Sequence, residues 1–250
     1  MTLFVFALTA VAVLMVWPAQ AREMLRVRTV DTSRYPAVKL QLGLTTRDKA
    51  AGFKLWENGH EVKGLKVGSN ISKEPMAVTL LIDVSGSMKD KPLADAKAAA
   101  KLFVDRAKPS DRVSIVAFSS TVNRPANFTN DKARLNSSID GLQAGGETAV
   151  YDGLLEALNG GRGQNGYNKS IILLSDGGDT ASKASVQSVK DTATRLKIPI
   201  SAIALQSSEF NAAPLTEVAQ ASGGQLITAL SSAGLISLYD GLAAELHNRY

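Results

Sequence analysis

Residues 77–88 have the sequence AVTLLIDVSGSM, in which a nearly continuous apolar run ends in aspartate, serine and glycine. An apolar run of this kind is typical of a parallel strand that helices cover on both faces. The polar residues that follow it would then lie beyond the carboxyl end of the strand, where open parallel sheets bind their ligands. We therefore expect this one strand to organise both the fold and the functional site.

The chain that follows this strand alternates between helical and extended patterns. Pro92 opens a helix with an apolar stripe that includes Leu93, Ala96 and Phe103, since proline is tolerated in the first turn of a helix. Further strands are predicted at 113–118, 170–174, 200–205 and 225–228, and further helices at 132–142, 149–158, 184–196, 214–221 and 233–246. This order predicts an α/β fold with a doubly wound, mostly parallel sheet and helices on both faces.

The residues ahead of this strand have a different, β-like pattern. Apolar and polar or small residues alternate between Val38 and Leu44, which is the period of a half-buried strand. Asn58-Gly59 lies between two short apolar segments and is a strong signal for a hairpin turn. We expect a small β unit of about four strands over residues 22–75, followed by the α/β domain over residues 76–250.

The first 21 residues have the features of an export signal. They contain no charged side chain, and the apolar run from Leu3 to Trp17 is followed by the small-x-small pattern at Ala19-Gln20-Ala21. These features predict a secretory signal peptide at residues 1–21, cleaved after Ala21, although the stretch before the apolar run lacks lysine and arginine. We expect a bacterial protein that is secreted or otherwise extracytoplasmic and associated with the cell envelope. An uncleaved membrane anchor is the alternative, but a spanning helix needs about 20 apolar residues.

The composition excludes several kinds of functional site. The 250 residues include no cysteine and two histidines, which excludes disulfides, thiolate metal sites and thiol nucleophiles and leaves few candidates for histidine-based catalysis. The net charge is +5, but the sequence lacks the basic runs with interleaved aromatic residues that would indicate nucleic acid binding. These observations favour a binding module over an enzyme.

Three loops carry a set of side chains that end in oxygen. Asp83, Ser85 and Ser87 follow the first strand at alternate positions, Asp176 follows a later strand, and Thr148 precedes a helix after paired glycines. Alternate spacing can turn the first three side chains toward one point. Carboxylates and hydroxyls are hard ligands, which suit Mg²⁺, Ca²⁺ or Mn²⁺ better than zinc.

This combination resembles the metal-ion-dependent adhesion site (MIDAS) of von Willebrand factor A (VWA) domains, over about residues 75–249. The resemblance implies that Ser85, Ser87 and Thr148 place hydroxyls on or near the metal, while Asp83 and Asp176 hold it directly or through water. It further implies that the ion leaves one position for a carboxylate of a partner protein. We therefore expect an adhesion or envelope-assembly protein that binds an acidic residue of its partner through Mg²⁺, Ca²⁺ or Mn²⁺.

Alternatives to this interpretation remain open. The same residues could serve as turn and helix-cap residues without metal. The chain could be a metal-stabilised scaffold of a membrane-associated secretion or pilus complex, as the N-terminal part of a longer membrane protein. A metal-assisted hydrolase would use the same hard-ion site. Near that site we expect Glu147 to face solvent, Asp179 to lie in a surface turn, and Asp152 to be either structural or a support for the metal ligands.

Overall fold

The computed structural model describes residues 25–34, 37–44, 55–63, 75–176, 178–205 and 212–229, together with residues 234, 235, 238, 239 and 242. The predicted signal peptide at residues 1–21 and most of the predicted closing helix at 233–246 lie outside the described residues, so both stay predictions. Within the described ranges, no helix is both long enough and apolar enough to cross a bilayer.

Two antiparallel hairpins precede the α/β domain. Strand β1 (Leu25–Arg34) pairs with β2 (Ala37–Leu44), and β3 (Trp56–Glu57) pairs with β4 (His60–Glu61). The predicted turn is confirmed, since Asn58 and Gly59 have φ values of 51° and 82°, as a tight hairpin turn requires. Strand β1 was not predicted, because a register shift between Val27 and Thr29 interrupts its alternating pattern.

The α/β domain contains a six-stranded sheet of order β10-β9-β8-β5-β6-β7. Its strands are β5 (Met76–Asp83), β6 (Arg112–Phe118), β7 (Val122–Thr129), β8 (Asn168–Ser175), β9 (Ile200–Leu205) and β10 (Leu226–Ala229). All neighbouring strands are parallel except β6 and β7. The predicted doubly wound, mostly parallel sheet is therefore confirmed.

Helices cover both faces of this sheet. They are α1 (Lys91–Arg106), α2 (Lys132–Asp140), α3 (Val150–Arg162), α4 (Val186–Leu196) and α5 (Ala212–Ser222). Helices α1 and α2 pack into one buried apolar cluster, and α3, α4 and α5 pack into a second cluster. Each of the five corresponds to a helix predicted from the sequence, and two separate clusters are what helices on opposite faces produce.

The edge strand β7 was not predicted from its sequence. It contains Pro125 and several polar residues, a composition that is tolerated only at the edge of a sheet. Its Arg124 guanidinium donates hydrogen bonds to the Glu156 side chain of α3 at 2.8 Å and to the Ser114 hydroxyl of β6 at 2.8 Å. Contacts distant in sequence, rather than local propensity, therefore hold this strand.

The strand order reverses beside β5. Strand β6 lies on one side of β5 and β8 lies on the other, while β5 itself is buried along its whole length. Ligands of open parallel sheets bind at such a reversal, beyond the carboxyl ends of the strands. Asp83 ends β5 and Asp176 directly follows β8, so both carboxylates lie at this point.

A second buried carboxylate fastens the opposite end of the sheet. Asp111, which is 2% exposed, accepts the backbone N–H of Met76 at 2.9 Å and of Lys108 at 2.8 Å. Close by in sequence, the Pro75 carbonyl accepts the N–H of Asn168 at 2.9 Å. These bonds fix the point where the chain enters β5.

Candidate metal centre

Asp83 is the buried centre of the candidate site. It is 0% exposed, and its two carboxylate oxygens accept the Ser85 N–H at 2.8 Å and the Ser175 hydroxyl at 2.5 Å. Burial raises the pKa of Asp83 to about 6, and the nearby Asp176 adds to the rise although the bonds from Ser175 and Ser85 oppose it. The charged form of Asp83 is therefore held by neutral donors, and a nearby cation would favour it.

Ser85, whose N–H bonds to Asp83, is connected to the second carboxylate by a chain of two hydroxyls. The Ser85 and Ser87 hydroxyl oxygens are 3.0 Å apart, and the Ser87 hydroxyl donates to Asp176 Oδ1 at 2.8 Å. Because the Ser87 proton points to Asp176, the Ser85 hydroxyl is the donor between the two serines. Asp83, Ser85 and Asp176 are buried while Ser87 is exposed, so the site opens to solvent at Ser87.

The loop that carries Thr148 is joined to the first loop through the backbone. The Gly86 N–H donates to the Gly146 carbonyl at 2.9 Å, and the Gly145 N–H donates to the Val84 carbonyl at 2.8 Å. A Cβ at Gly86 would lie 3.4 Å from that Gly146 oxygen, at van der Waals contact, so the two loops touch here. Thr148, which is 7% exposed, is thereby brought to the same edge as the other four predicted residues.

Three neighbouring acidic residues have other roles. Asp152 accepts the backbone N–H of Lys183 at 3.0 Å and of Ala184 at 2.9 Å, so it fastens the segment before α4. Asp179 accepts the Ser182 hydroxyl and the Tyr151 N–H and is likewise structural. The third, Glu147, is exposed. These findings match the structural interpretation of Asp152 and the solvent-facing interpretation of Glu147.

Sequence reasoning missed Ser175, which contacts Asp83 directly. The parallel register pairs Ile82 with Leu174, so the next residues along the two strands, Asp83 and Ser175, become neighbours. The sequence places Asp83 and Ser175 at the ends of two predicted strands. It does not show which residues of these two strands lie side by side, because the strands are far apart in the chain. Ser175 therefore joins the site as a support for Asp83.

The chemistry of these donors fits a hard divalent cation. The site offers two carboxylates and several hydroxyls, and oxygen donors of this kind suit Mg²⁺, Ca²⁺ and Mn²⁺. In the described part of the chain, no three His, Cys, Asp or Glu side chains come together as a metal cluster, so an ion bound here would also need hydroxyls or water as ligands. Of the two histidines, His60 lies on the β3–β4 hairpin and is exposed, and His247 lies outside the described residues.

The chain is similar to several bacterial proteins. It is 25% identical over 207 residues to a UPF0353 protein of Mycolicibacterium gilvum, which covers 70% of this chain and 62% of the relative. It is 33% identical over 106 residues to the uncharacterized protein sll0103 of Synechocystis, which covers 41% of this chain and 25% of that protein. The chain thus spans less than two thirds of these relatives.

Solved structures and a family model point to the same fold. A von Willebrand factor type A protein from Catenulispora acidiphila superposes with a TM-score of 0.66 at 17% identity, covering 84% of this chain and 45% of that one. The VWF domain of the pilus tip protein Mfa5 of Porphyromonas gingivalis superposes with a TM-score of 0.56 at 16% identity, covering 68% of this chain and 94% of that one. The mussel byssus proximal thread matrix protein 1, whose MIDAS motif is occupied by zinc, superposes with a TM-score of 0.58 at 22% identity, covering 69% of this chain and 48% of that one. The model of the von Willebrand factor type A domain matches residues 77–240, and this chain therefore belongs to that family.

Proposed function

We propose that this protein is an extracytoplasmic bacterial VWA protein that binds an acidic residue of a protein partner through a divalent cation. The observation that carries the proposal is the convergence of buried Asp83 and Asp176 at the carboxyl edge of the sheet, where Ser85 bonds to Asp83 through its N–H and leads to Asp176 through its own hydroxyl and that of Ser87. Turn or cap residues would not need two neighbouring carboxylates and a chain of hydroxyls at the reversal of strand order. A cation at this place would add an opposite charge to the neutral donors that now hold Asp83.

Each residue has a defined role in this proposal. Asp83 and Asp176 supply negative charge, and the bonds from Ser175 and from the Ser85 N–H keep the Asp83 carboxylate from turning away. The hydroxyls of Ser85, Ser87 and Thr148 present lone pairs to the ion. Ser87 is exposed, and it marks the side from which a partner approaches. A divalent cation held by these oxygens would supply the positive charge that attracts a carboxylate of the partner.

The similar proteins support the proposed location and ion. One structure with this fold is the domain of a pilus tip protein, which supports an extracytoplasmic, envelope-associated setting together with the signal peptide predicted at residues 1–21. Another has zinc in its MIDAS motif, which supports divalent cation binding, and the hydroxyl-rich donor set here favours Mg²⁺, Ca²⁺ or Mn²⁺.

We assign no catalytic role to this site. A hydrolase would need a general base near the substrate, and the nearby acidic residues Asp152 and Asp179 are engaged in holding backbone and hydroxyl groups. A hydroxyl-rich ligand set also makes a bound ion a modest Lewis acid. Turnover of ester or phosphate substrates by the purified chain, lost on Asp176→Ala, would contradict this assignment.

Calorimetric titration with Mg²⁺, Ca²⁺ and Mn²⁺ tests the metal site. The wild-type chain should bind at least one of the three ions, and Asp83→Ala and Asp176→Ala should abolish binding. Asp191→Ala is the matched control, because Asp191 is exposed and its side chain bonds to Gln187 on α4. Equal binding by the wild type and Asp83→Ala would show that the site is wrongly assigned.

Capture of partners from native envelope, with and without chelator, tests the binding mechanism. We expect EDTA and Asp83→Ala to remove the same partner. A partner that stays bound in EDTA would contradict metal-bridged adhesion and would favour the scaffold alternative, in which the metal only stabilises the fold.

A further inference from the structure

The backbone on each side of Thr148 is held by a different neighbouring turn. On one side, the turn between β6 and β7 engages its flanking residues: the Glu147 N–H donates to the Ser120 hydroxyl at 2.8 Å, and the Ala149 N–H donates to the Ser119 carbonyl at 2.9 Å. These two bonds bracket Thr148 and hold its loop against the sheet edge.

On the other side, Thr180 binds the peptide groups of Thr148 itself. The Thr148 N–H donates to Thr180 Oγ1 at 3.0 Å, and the Thr148 carbonyl accepts the N–H of Thr180 at 2.8 Å and of Ala181 at 3.2 Å. Thr180 lies four positions after the predicted ligand Asp176, so one loop both carries a carboxylate and grips the residue that carries a hydroxyl. These bonds therefore tie the Thr148 loop to the segment that follows Asp176.

The fit between the Thr148 loop and the first turn leaves little free space. Gly146 has a φ of +87°, and a Cβ there would lie 2.7 Å from the Ser120 hydroxyl oxygen. Glycine at this position lets the loop pass close enough for the neighbouring N–H to reach Ser120. The loop is thus shaped for these contacts rather than resting loosely on the surface.

We infer that Thr180, supported by Ser120, is a positioning residue of the metal site: its hydroxyl holds the Thr148 amide so that the Thr148 hydroxyl faces the ion. This inference rests on the proposed function. Removal of the Thr180 hydroxyl takes away the acceptor of the Thr148 amide and a 3.5 Å hydrogen bond to the Thr148 carbonyl. Both N–H bonds to that carbonyl stay in place, so the loop stays folded. Because the Thr180 side chain is exposed, a valine of the same shape creates no cavity.

Mn²⁺ titration of the full chain, followed by calorimetry and by the electron paramagnetic resonance signal of free Mn²⁺, tests this inference. Thr180→Val should weaken Mn²⁺ binding about tenfold, the size of effect that groups supporting metal ligands have. Thr180→Ser should restore binding to within about twofold, since serine keeps the hydroxyl acceptor. Ser120→Ala should weaken binding in the same direction.

The matched control is Thr194→Val, because Thr194 is also exposed and its hydroxyl also bonds to a backbone group, the Ala221 carbonyl at 3.3 Å. This control should bind Mn²⁺ like the wild type. Amide hydrogen exchange of the metal-free proteins gives a second readout: Thr148 should exchange faster in Thr180→Val while the thermal midpoint stays near that of the control.

The outcomes separate this inference from the proposed function. If the wild type binds Mn²⁺ and Thr180→Val binds it equally well, the positioning role is wrong and the metal site stands. If Thr180→Ser binds as weakly as Thr180→Val, the hydroxyl is not the active group and the inference is again overturned. A wild-type chain that binds no Mn²⁺, Mg²⁺ or Ca²⁺ overturns both proposals.

Discussion

Asp83 and Asp111 lie at opposite ends of the same sheet, and both are buried carboxylates, but their partners differ. Asp111 accepts two backbone N–H groups, from Met76 and Lys108. Asp83 accepts the Ser175 hydroxyl and the N–H of Ser85, and the Ser85 and Ser87 hydroxyls lead from there to another carboxylate, Asp176. A backbone amide has one fixed donor direction, whereas a hydroxyl rotates and can turn its lone pairs toward a cation. Asp111 is therefore suited to fasten the fold, and Asp83 to share its charge with a metal.

Replacement by asparagine at both carboxylates, Asp111 and Asp83, gives the sharpest contrast. The largest loss of folding stability is expected at Asp111. In Asp111→Asn the amide NH₂ has to face one of two backbone N–H donors, so a buried donor loses its acceptor. We expect the free energy of unfolding to fall by about 3 kcal/mol, equally in EDTA and in Mg²⁺, as measured by urea denaturation. Asp131→Asn is the control, because Asp131 is an exposed helix cap that asparagine replaces well. A metal-dependent loss at Asp111 would break the contrast.

Asp83→Asn should instead remove the response to metal. At a cation concentration of about 100 times the dissociation constant, bound metal stabilises the wild type by about 2.7 kcal/mol, and this gain should be absent in the variant. In EDTA at pH 7 the variant should be at least as stable as the wild type. Its amide can accept the Ser85 N–H and donate to Ser175, the two groups that hold Asp83 now.

The expected stability of Asp83→Asn relative to the wild type in EDTA follows from the pKa of Asp83. The folded protein has a pKa of about 6 at Asp83, above the ordinary 3.8, so ionisation is harder in the folded than in the unfolded chain. The charge therefore lowers the stability of the metal-free wild type progressively between about pH 4 and pH 6, and fully at pH 7. Asparagine has no such charge. A variant less stable than the wild type in EDTA at pH 7, yet equal to it at pH 4, would contradict this account.

A smaller effect is expected from the hydroxyl that supports Asp83. Ser175→Ala should weaken Mg²⁺ binding about tenfold, since partners that orient a ligand affect affinity by this order. Ser170→Ala is the matched control on the same strand, because Ser170 is also buried and bonds to the Pro199 carbonyl at 3.5 Å. Isothermal titration of both variants makes the comparison. Equal Mg²⁺ affinities of Ser175→Ala and Ser170→Ala would show that Ser175 only fills space beside Asp83.

The smallest effect is expected at the exposed carboxylate beside the site. Glu147 is exposed to solvent, where charge is screened by water and salt. Glu147→Gln should change the Mg²⁺ dissociation constant by less than about twofold in titrations at physiological salt. A change as large as that of Ser175→Ala would mean that Glu147 reaches the ion, and the contrast between buried and exposed carboxylates would not hold.

The sequence was sufficient for the parts of the fold in which local pattern and tertiary environment agree. Strand β5 is buried on both faces, so its apolar run identified it directly. Strand β7 was missed because its polar sequence is stabilised by distant groups, as the bonds of Arg124 to Glu156 and Ser114 show. Strand β1 was missed because a register shift breaks its alternation.

The same division applies to the candidate site. Asp83, Ser85 and Ser87 are close in sequence, and Asp176 was placed with them by the rule that parallel strands share a carboxyl edge. The contacts of Ser175 with Asp83 and of Thr180 with Thr148 depend on the strand register and on the path of the loops. A single sequence segment does not encode either of these. The role of Asp152 was left open by the sequence, and the structure shows a structural contact, to two backbone N–H groups before α4.

The central place of β5 also determines how the domain responds to mechanical force. Its neighbours β6 and β8 pair with it along both sides, and the chain enters at Pro75 while Asp83 lies at the far end. A pull between the entering chain and a partner held at Asp83 acts along the strand, across the direction of its ladder hydrogen bonds. Those bonds would be sheared together instead of opening one after another, so the strand that presents the carboxylate is also the one best placed to carry tension through the domain.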